Sequence, residues 1–84
     1  MHRLVHGYRV QVHASKSSEK CAALAKKIEA KIGTPAYVDR DGELYKVRIG
    51  DCPDREAAVL LKFELEQAGW GETWIVATTV RIPY

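Results

Sequence analysis

The spacing of apolar and polar positions predicts the first strand and the first helix. Apolar and polar residues alternate over residues 8–13, the pattern of a strand with one buried face. Apolar residues then recur every three or four positions from Cys21 to Ile32. This spacing predicts an amphipathic helix that begins after the serines at 17 and 18 and ends at Gly33.

The second half of the chain predicts three more strands and a second helix. In chain order these are a short strand over 36–39, a turn at Asp41 and Gly42, a strand over 44–49, a helix from about Asp54 to Ala68, and a strand over about 73–78. The resulting order is βαββαβ. We expect an α+β, ferredoxin-like or RNP-like fold, in which an antiparallel or mixed four-stranded sheet carries both helices on one face.

An internal repeat of 37 residues supports this order. Residues 8–12 read YRVQV and residues 45–49 read YKVRI, and the same spacing relates Leu24 to Leu61 and Tyr37 to Trp74. A period of this length is typical of two copies of one supersecondary unit, each of which buries its apolar face against the other. The fold is therefore predicted to be pseudo-symmetric.

Length and composition indicate one small globular domain. The chain has 84 residues, of which 46% are hydrophobic and 29% charged, which fits neither a disordered nor a membrane protein. We predict a domain over 7–78, an N-terminal extension or expression remnant over 1–6, and a tail over 79–84. The formal net charge of +2 is too small to indicate nucleic-acid binding by itself. The sequence has no long apolar run, so an export signal would lie on a longer parent protein.

The sheet face away from the helices is the candidate binding surface. If the valines and isoleucines of the strands face the helices, the polar and aromatic residues between them face outward. That face would combine aromatic rings, an amide and several cations. Its predicted members are Arg9, Gln11, His13, Tyr37, Lys46, Arg48 and Trp74.

Several of these residues lie in motifs that resemble a known family. The sequence Tyr8-x-Val10-Gln11-Val12, and Tyr45-x-Val47-x-Ile49-Gly50 followed by an alanine-containing helix, resemble the SPOR (sporulation-related repeat) domain of bacterial cell-envelope proteins. The resemblance implies a βαββαβ fold and binding of peptidoglycan glycan strands that lack stem peptides. It implies an extracytoplasmic site of action, in the periplasm, cell wall or division septum. It also implies that Gln11 and Trp74 are the central contacts.

The proposed ligand suits the predicted face chemically. Sugar rings lie against aromatic side chains, and their hydroxyl and acetamido groups require fixed donors and acceptors such as the Gln11 amide. A glycan without stem peptides keeps lactyl carboxylates, which Arg9, Arg48 or Lys46 could pair with. The alternative for these cations is a solvated sheet face. For Tyr37 the alternative is a cover over the rim of the core, and for His13 it is an ordinary loop position.

The chain departs from the family pattern in two loops. Residues 13–15 read HAS and residues 50–52 read GDC, where family members commonly carry Gly-Ser-Phe and Gly-Pro-Phe. Cys21 and Cys52 would approach each other if the central strands were parallel. A disulfide and two separate buried thiols are both open interpretations. The sequence lacks metal-ligand spacing and cofactor motifs, so we expect neither a metal nor a cofactor.

Other classes of function fit less well. We find no nucleophile–base set, paired carboxylates or phosphate-binding loop, so we expect no enzyme; Asp51 and Asp54 are interpreted as caps of the second helix. A single-stranded RNA-binding module of the RRM type shares the fold plan, but the third strand lacks its outward aromatic residues. A protein-interaction or dimerisation domain is a further alternative.

A second candidate surface lies on the second helix. Val59 and Phe63 fall opposite its apolar stripe, and Leu60 lies nearby. Either the C-terminal tail covers them through Ile82 or Tyr84, or a second copy or another domain does so.

Overall fold

A computed structural model of the chain, in which residues 1–83 are described, has the predicted βαββαβ order. The elements are β1 (His2–Ser15), α1 (Ser18–Ile32), β2 (Ala36–Asp41), β3 (Leu44–Cys52), α2 (Arg55–Gln67) and β4 (Trp74–Pro83). The strands form one antiparallel sheet in the order β2-β3-β1-β4. The predicted fold class is confirmed. Among the described residues, no helix is long and apolar enough to cross a membrane.

Local capping chemistry sets the ends of both helices. The Ser17 hydroxyl accepts a hydrogen bond from the Lys20 N–H at 3.2 Å, and Gly33 ends α1 in the left-handed region at φ 79°. The Asp54 carboxylate accepts from the Ala57 N–H at 2.8 Å and so caps α2. These caps confirm the predicted starts of both helices.

The core lies between the helices and one face of the sheet. Central-strand residues Val10, Val47 and Ile49 are fully buried there, together with Ile28 of α1 and Leu65 of α2. Full burial of a side chain of this size contributes about 1.5–3 kcal/mol to stability. Because these residues face the helices, the alternating residues between them face the other side.

Two bulges interrupt the pairing of β1 with β3. Tyr8 pairs with Cys52 but Val10 pairs with Ile49, so β3 contains an extra residue at 50–51. Gln11 pairs with Arg48 but residue 13 pairs with Val47, so β1 contains an extra residue near position 12. Each bulge reverses which residues of its strand face the helices.

The segments predicted to flank the domain are paired strands. Residues 2–7 of β1 pair with residues 78–83 of β4, from His2 with Pro83 to Gly7 with Thr78, and we call these two segments the terminal ribbon. The prediction of a tail is therefore wrong for 79–83, and residue 84 lies outside the described residues. A signal was present in the sequence, because the apolar Val80 and Ile82 alternate with the polar Thr79 and Arg81.

The terminal ribbon curls towards β3 at Gly7. The Arg81 N–H on β4 donates to the Asp51 carboxylate on β3 at 2.9 Å, although β1 lies between these strands in the sheet. A Cβ atom on Gly7 would lie 2.4 Å from the Cys52 carbonyl oxygen and 2.5 Å from Val80. Glycine at this position therefore permits the close approach.

Of the two open interpretations of the cysteines, the structure has two separate buried thiols and no disulfide. Cys21 and Cys52 are both free and buried. The Cys21 thiol lies near the start of β3, 3.4 Å from the Tyr45 carbonyl oxygen, whereas Cys52 ends the same strand. Seven residues of extended strand separate these positions, a length of roughly 23 Å. The expectation rested on parallel central strands, and the observed antiparallel pairing places the two thiols at opposite ends of the sheet.

A second group of apolar residues, on the outward side of α2, is exposed. Val59, Leu60 and Phe63 are 49%, 71% and 61% exposed, respectively. Ile82 is paired with residue 3 in the terminal ribbon and does not cover them. The same proposal for Tyr84 concerns a residue outside the described part of the chain.

Candidate functional site

Four predicted site residues form one row across all four strands. Tyr37 of β2 pairs with Arg48 of β3, Arg48 pairs with Gln11 of β1, and Gln11 pairs with Trp74 of β4. Directly paired residues of antiparallel strands lie on the same face. We call this set the transverse row. It lies on the face opposite the helices, as the alternation of the sequence predicts.

At the centre of the row, an arginine fixes the Gln11 amide. Arg48 Nε donates to Gln11 Oε1 at 3.0 Å, and Arg48 Nη1 donates to Asp39 Oδ2 at 3.5 Å. A guanidinium has only donors, so it selects the oxygen of the Gln11 amide. Gln11 is 4% exposed, yet its Nε2 is neither fully buried nor hydrogen-bonded within residues 1–83. The amide therefore has a fixed orientation, and its N–H donor is not used by any other residue of 1–83.

At one end of the row, Arg9 and Tyr37 belong to a closed network. Arg9 is 7% exposed; its Nε donates to the Gly50 carbonyl oxygen at 3.1 Å, and its Nη2 lies 3.0 Å from Asp51 Oδ1. The guanidinium carbon lies 3.9 Å from the centre of the Tyr37 ring, within cation–π range. With Asp51 these residues form what we call the Arg9 cluster.

Asp51 is the acceptor that closes this cluster. It accepts from the Tyr37 hydroxyl at 2.5 Å as well as from Arg9 and the ribbon backbone. Burial alone would raise the pKa of Asp51, but the hydrogen bonds from the backbone, hydroxyl and guanidinium outweigh it and hold the pKa below its ordinary value. Burial, and then the hydrogen bond to Asp51 and its charge, raise the pKa of Tyr37.

The interpretation of Asp51 as a helix cap is wrong, because Asp54 alone caps α2. The bulge at Gly50, with φ 88°, directs Asp51 to the open face instead. Asp39 is the other residue that the sequence analysis did not select. Its outward position follows from the same alternation that placed Tyr37, two residues earlier, on the open face.

Each predicted cation of the face has an aspartate beside it. Besides Arg9 with Asp51 and Arg48 with Asp39, Lys46 Nζ lies 2.6 Å from Asp41 Oδ2. The hydrogen bond from Lys46 and its charge lower the pKa of Asp41. The face is thus a set of ion pairs, and a ligand carboxylate would compete with these aspartates for each cation.

The other end of the row is open. Trp74 is 51% exposed, and its backbone neighbour across the ladder is Gln11. An indole ring with this exposure beside a polar amide provides an apolar platform next to a hydrogen-bond donor. Of this pair, Trp74 is exposed to solvent, whereas Gln11 is almost entirely covered by the protein.

The predicted position of His13 on this face is wrong. The bulge near residue 12 pairs His13 with Val47, whose side chain is in the core, and pairs Ala14 with Lys46 on the open face. His13 therefore lies on the helix side of the sheet edge. The described residues contain no cluster of three or more histidine, cysteine, aspartate or glutamate side chains that could hold a metal ion.

Comparisons with known proteins agree with this architecture. The chain is 30% identical over 71 residues to the endolytic peptidoglycan transglycosylase RlpA of Yersinia pestis, which covers 84% of this chain and 20% of RlpA. The chain thus spans about a fifth of that relative. The solution structure of the peptidoglycan-binding domain of the B. subtilis cell wall lytic enzyme CwlC matches with a TM-score of 0.77 and 30% identity, covering 88% of this chain and 91% of that domain.

A model of one protein family spans most of the chain. The family is described as the SPOR domain, and its model matches residues 6–77. The match includes both helices, β2, β3 and every residue of the transverse row, but leaves out residues 2–5 and 78–83 of the terminal ribbon. The chain therefore belongs to the SPOR domain family.

Proposed function

We propose that this chain is a peptidoglycan-binding module that holds a glycan strand on the open face of its sheet, at Trp74 and Gln11. The observation that carries the proposal is their pairing, which places an exposed indole beside a fixed amide donor. Family membership supports it, and so do the two relatives, because both RlpA and CwlC are named for action on peptidoglycan or the cell wall.

The chemistry of an N-acetylated glycan matches this pair. The apolar C–H face of a sugar ring stacks on an indole, and an acetamido carbonyl or ring hydroxyl accepts from the Gln11 amide N–H. The Arg48 guanidinium keeps that amide oriented before the ligand arrives. Less freedom is then lost on binding, which favours affinity.

We propose that the preferred ligand is a glycan strand without stem peptides. The family resemblance is the main support. We expect lactyl carboxylates to contribute little to binding, because Arg9, Arg48 and Lys46 are already paired with aspartates.

We propose a binding role without catalysis, as part of a longer envelope protein. RlpA is an enzyme, but this chain corresponds to only 20% of its length. The module would act outside the cytoplasm, at the cell wall or division septum, with the export signal elsewhere on the parent protein. RNA is a less suitable ligand, because the two central strands contribute Gln11 and Arg48 to the row and not base-stacking aromatic rings.

The direct test compares two aromatic substitutions on opposite faces. Calorimetric titration with soluble glycan fragments stripped of stem peptides should show binding by the wild type. Trp74→Ala should weaken it at least about tenfold, since buried aromatic anchors dominate such interfaces. Phe63→Ala is the matched control, because Phe63 is similarly exposed but lies on α2.

Retention on purified sacculi completes the test. Removal of stem peptides by an amidase should increase retention of the wild-type chain and not of Trp74→Ala. Absence of binding to both fragments and sacculi, or equal binding by wild type and Trp74→Ala, would refute the proposed site.

A further inference from the structure

The outward face of α2 is apolar, and α2 as a whole carries an excess of negative charge. On a 3.6-residue repeat, Val59 and Phe63 lie opposite the buried Leu61 and Leu65. A shallow depression of about 420 Å³ lies beside them, lined by residues 55, 56, 59 and 60. Three glutamates and the cap aspartate of α2 outnumber its arginine and its lysine. A partner for this face would combine small or apolar side chains with positive charge.

The outward face of α1 has these complementary properties. Four lysines outnumber two glutamates along α1. Ala23 and Ala30, two turns apart, are exposed on the side opposite the buried Ile28, with Lys26 and Lys27 between them. Alanines permit close helix approach, and the lysines would lie beside the glutamates of a facing α2. The molecule thus carries both halves of a complementary pair in one layer.

Chain direction determines how two copies could bring these halves together. Strands β1 and β3 are antiparallel, and each is followed by a helix that returns along the sheet, so α1 and α2 run in opposite directions. Two copies can stack with their helix layers in contact and a two-fold axis lying between the layers. This axis runs either across the helices, perpendicular to them, or along the helices, parallel to them. The first arrangement places α1 on α1 and α2 on α2, so like charges meet. The second places α1 of each copy on α2 of the other, in antiparallel orientation, so opposite charges meet.

We propose that this chain forms a two-fold symmetric dimer through its helix layer, with α1 of each copy packed on α2 of its partner. The apolar residues Val59, Leu60 and Phe63 would pack against the alanine face of α1. Fifteen helical residues span about 22 Å and two adjacent helices about 20 Å, so the contact is smaller than a standard interface and the dimer is weak.

This arrangement has a consequence for binding. Because the helix layers face each other, the two open sheet faces point in opposite directions. One dimer could then hold two separate glycan strands, and retention on sacculi would gain from bivalency while affinity for a short soluble fragment would not. The dimer itself does not depend on the proposed ligand, because its test uses the protein alone.

The first experiment measures molar mass by sedimentation equilibrium from about 10 μM to about 1 mM, where a weak dimer becomes populated by mass action. Wild type should pass from monomer towards dimer. Phe63→Glu should stay monomeric, while Glu43→Lys, an exposed change in the hairpin between β2 and β3, should behave as wild type. A wild-type chain that is monomeric throughout, or a dimer that survives Phe63→Glu, would overturn the proposal.

The second experiment distinguishes the two symmetries by charge reversal. Lys26→Glu with Lys27→Glu should weaken the dimer at least about tenfold, and so should Glu56→Lys with Glu66→Lys, because each places like charges opposite each other. The second double substitution also removes the ion pair within α2 between Lys62 and Glu66, whose charged atoms lie 3.5 Å apart. The combination of all four changes should restore association to within about threefold of wild type. If the combination fails to restore it while the variants keep the wild-type circular dichroism, the pairing of α1 with α2 is wrong.

Discussion

The two ends of the transverse row carry aromatic residues with opposite roles. Tyr37 stacks on Arg9 and donates to Asp51, so its ring and hydroxyl are both engaged within the protein. Trp74 is half exposed beside an amide with an unused donor. The two residues are equivalent in the internal repeat, 37 positions apart. Equivalent positions therefore diverged into a structural anchor at one end and a free contact at the other, because only β3 supplies an aspartate at its bulge.

The largest effect is expected from a substitution in the Arg9 cluster, at the Tyr37 end of the transverse row. Arg9→Ala should lower the free energy of unfolding by about 3 kcal/mol, because it leaves Asp51 with a nearly buried, poorly compensated charge. Arg55→Ala, at an exposed position of α2, should change it by less than about 0.5 kcal/mol. Urea unfolding followed by circular dichroism measures both. If Arg9→Ala left stability unchanged but abolished glycan binding, Arg9 would be a ligand contact and not an anchor.

A smaller effect appears at acid pH. The folded-state pKa of Asp51 lies below the ordinary value of 3.8. The Asp51 charge therefore contributes fully to the stability of the fold above about pH 4, and this contribution is lost as the pH falls through the folded-state pKa. At pH 7, Asp51→Asn should be less stable than wild type by about 2 kcal/mol.

As the pH falls below the folded-state pKa of Asp51, this stability difference should shrink towards zero, since wild-type Asp51 is then protonated as well. Thermal unfolding of both proteins across this pH range measures the change. A difference that stays constant from pH 7 to acid would show that the Asp51 charge does not stabilise the Arg9 cluster.

The smallest effect is expected from salt on the affinity of the Trp74 end of the row for its ligand. Because the cations of the face are paired with aspartates, affinity for a soluble glycan without stem peptides should change less than about threefold between 50 and 500 mM NaCl. Calorimetric titration at both salt concentrations measures this. A much steeper loss of affinity would mean that the ligand displaces the aspartates and pairs with the cations.

The fold and the open face follow from the sequence wherever the chain keeps a regular period. Alternation placed Tyr37, Arg48, Gln11 and Trp74 on one face, and the structure confirms their position, because strand geometry directs every second residue to the same side. Helix periodicity and capping residues likewise located both helices. The role of the four residues of the transverse row in binding stays a prediction.

The errors arose where that period is interrupted or chain direction matters. A bulge near residue 12 moved His13 off the face, and a second at Gly50 converted Asp51 from an expected cap into the centre of a network. Neither bulge has a sequence signal as clear as alternation, although a glycine within a strand is one indication. The interpretation of Cys21 and Cys52 as a disulfide assumed that the two central strands are parallel. Periodicity alone does not determine strand direction.

The terminal ribbon also governs how the domain responds to tension. His2 pairs with Pro83, so a pulling force applied at these two residues acts along the hydrogen bonds between the strands and loads them one after another. The ribbon should open at low force from this end up to Arg81, whose N–H is bonded to Asp51 of β3. Beyond residue 7, β1 is held by β3 as well as β4, beginning with the pairing of Tyr8 and Cys52. The ribbon would therefore act as a short extensible tether that yields before the proposed glycan-binding face is disturbed.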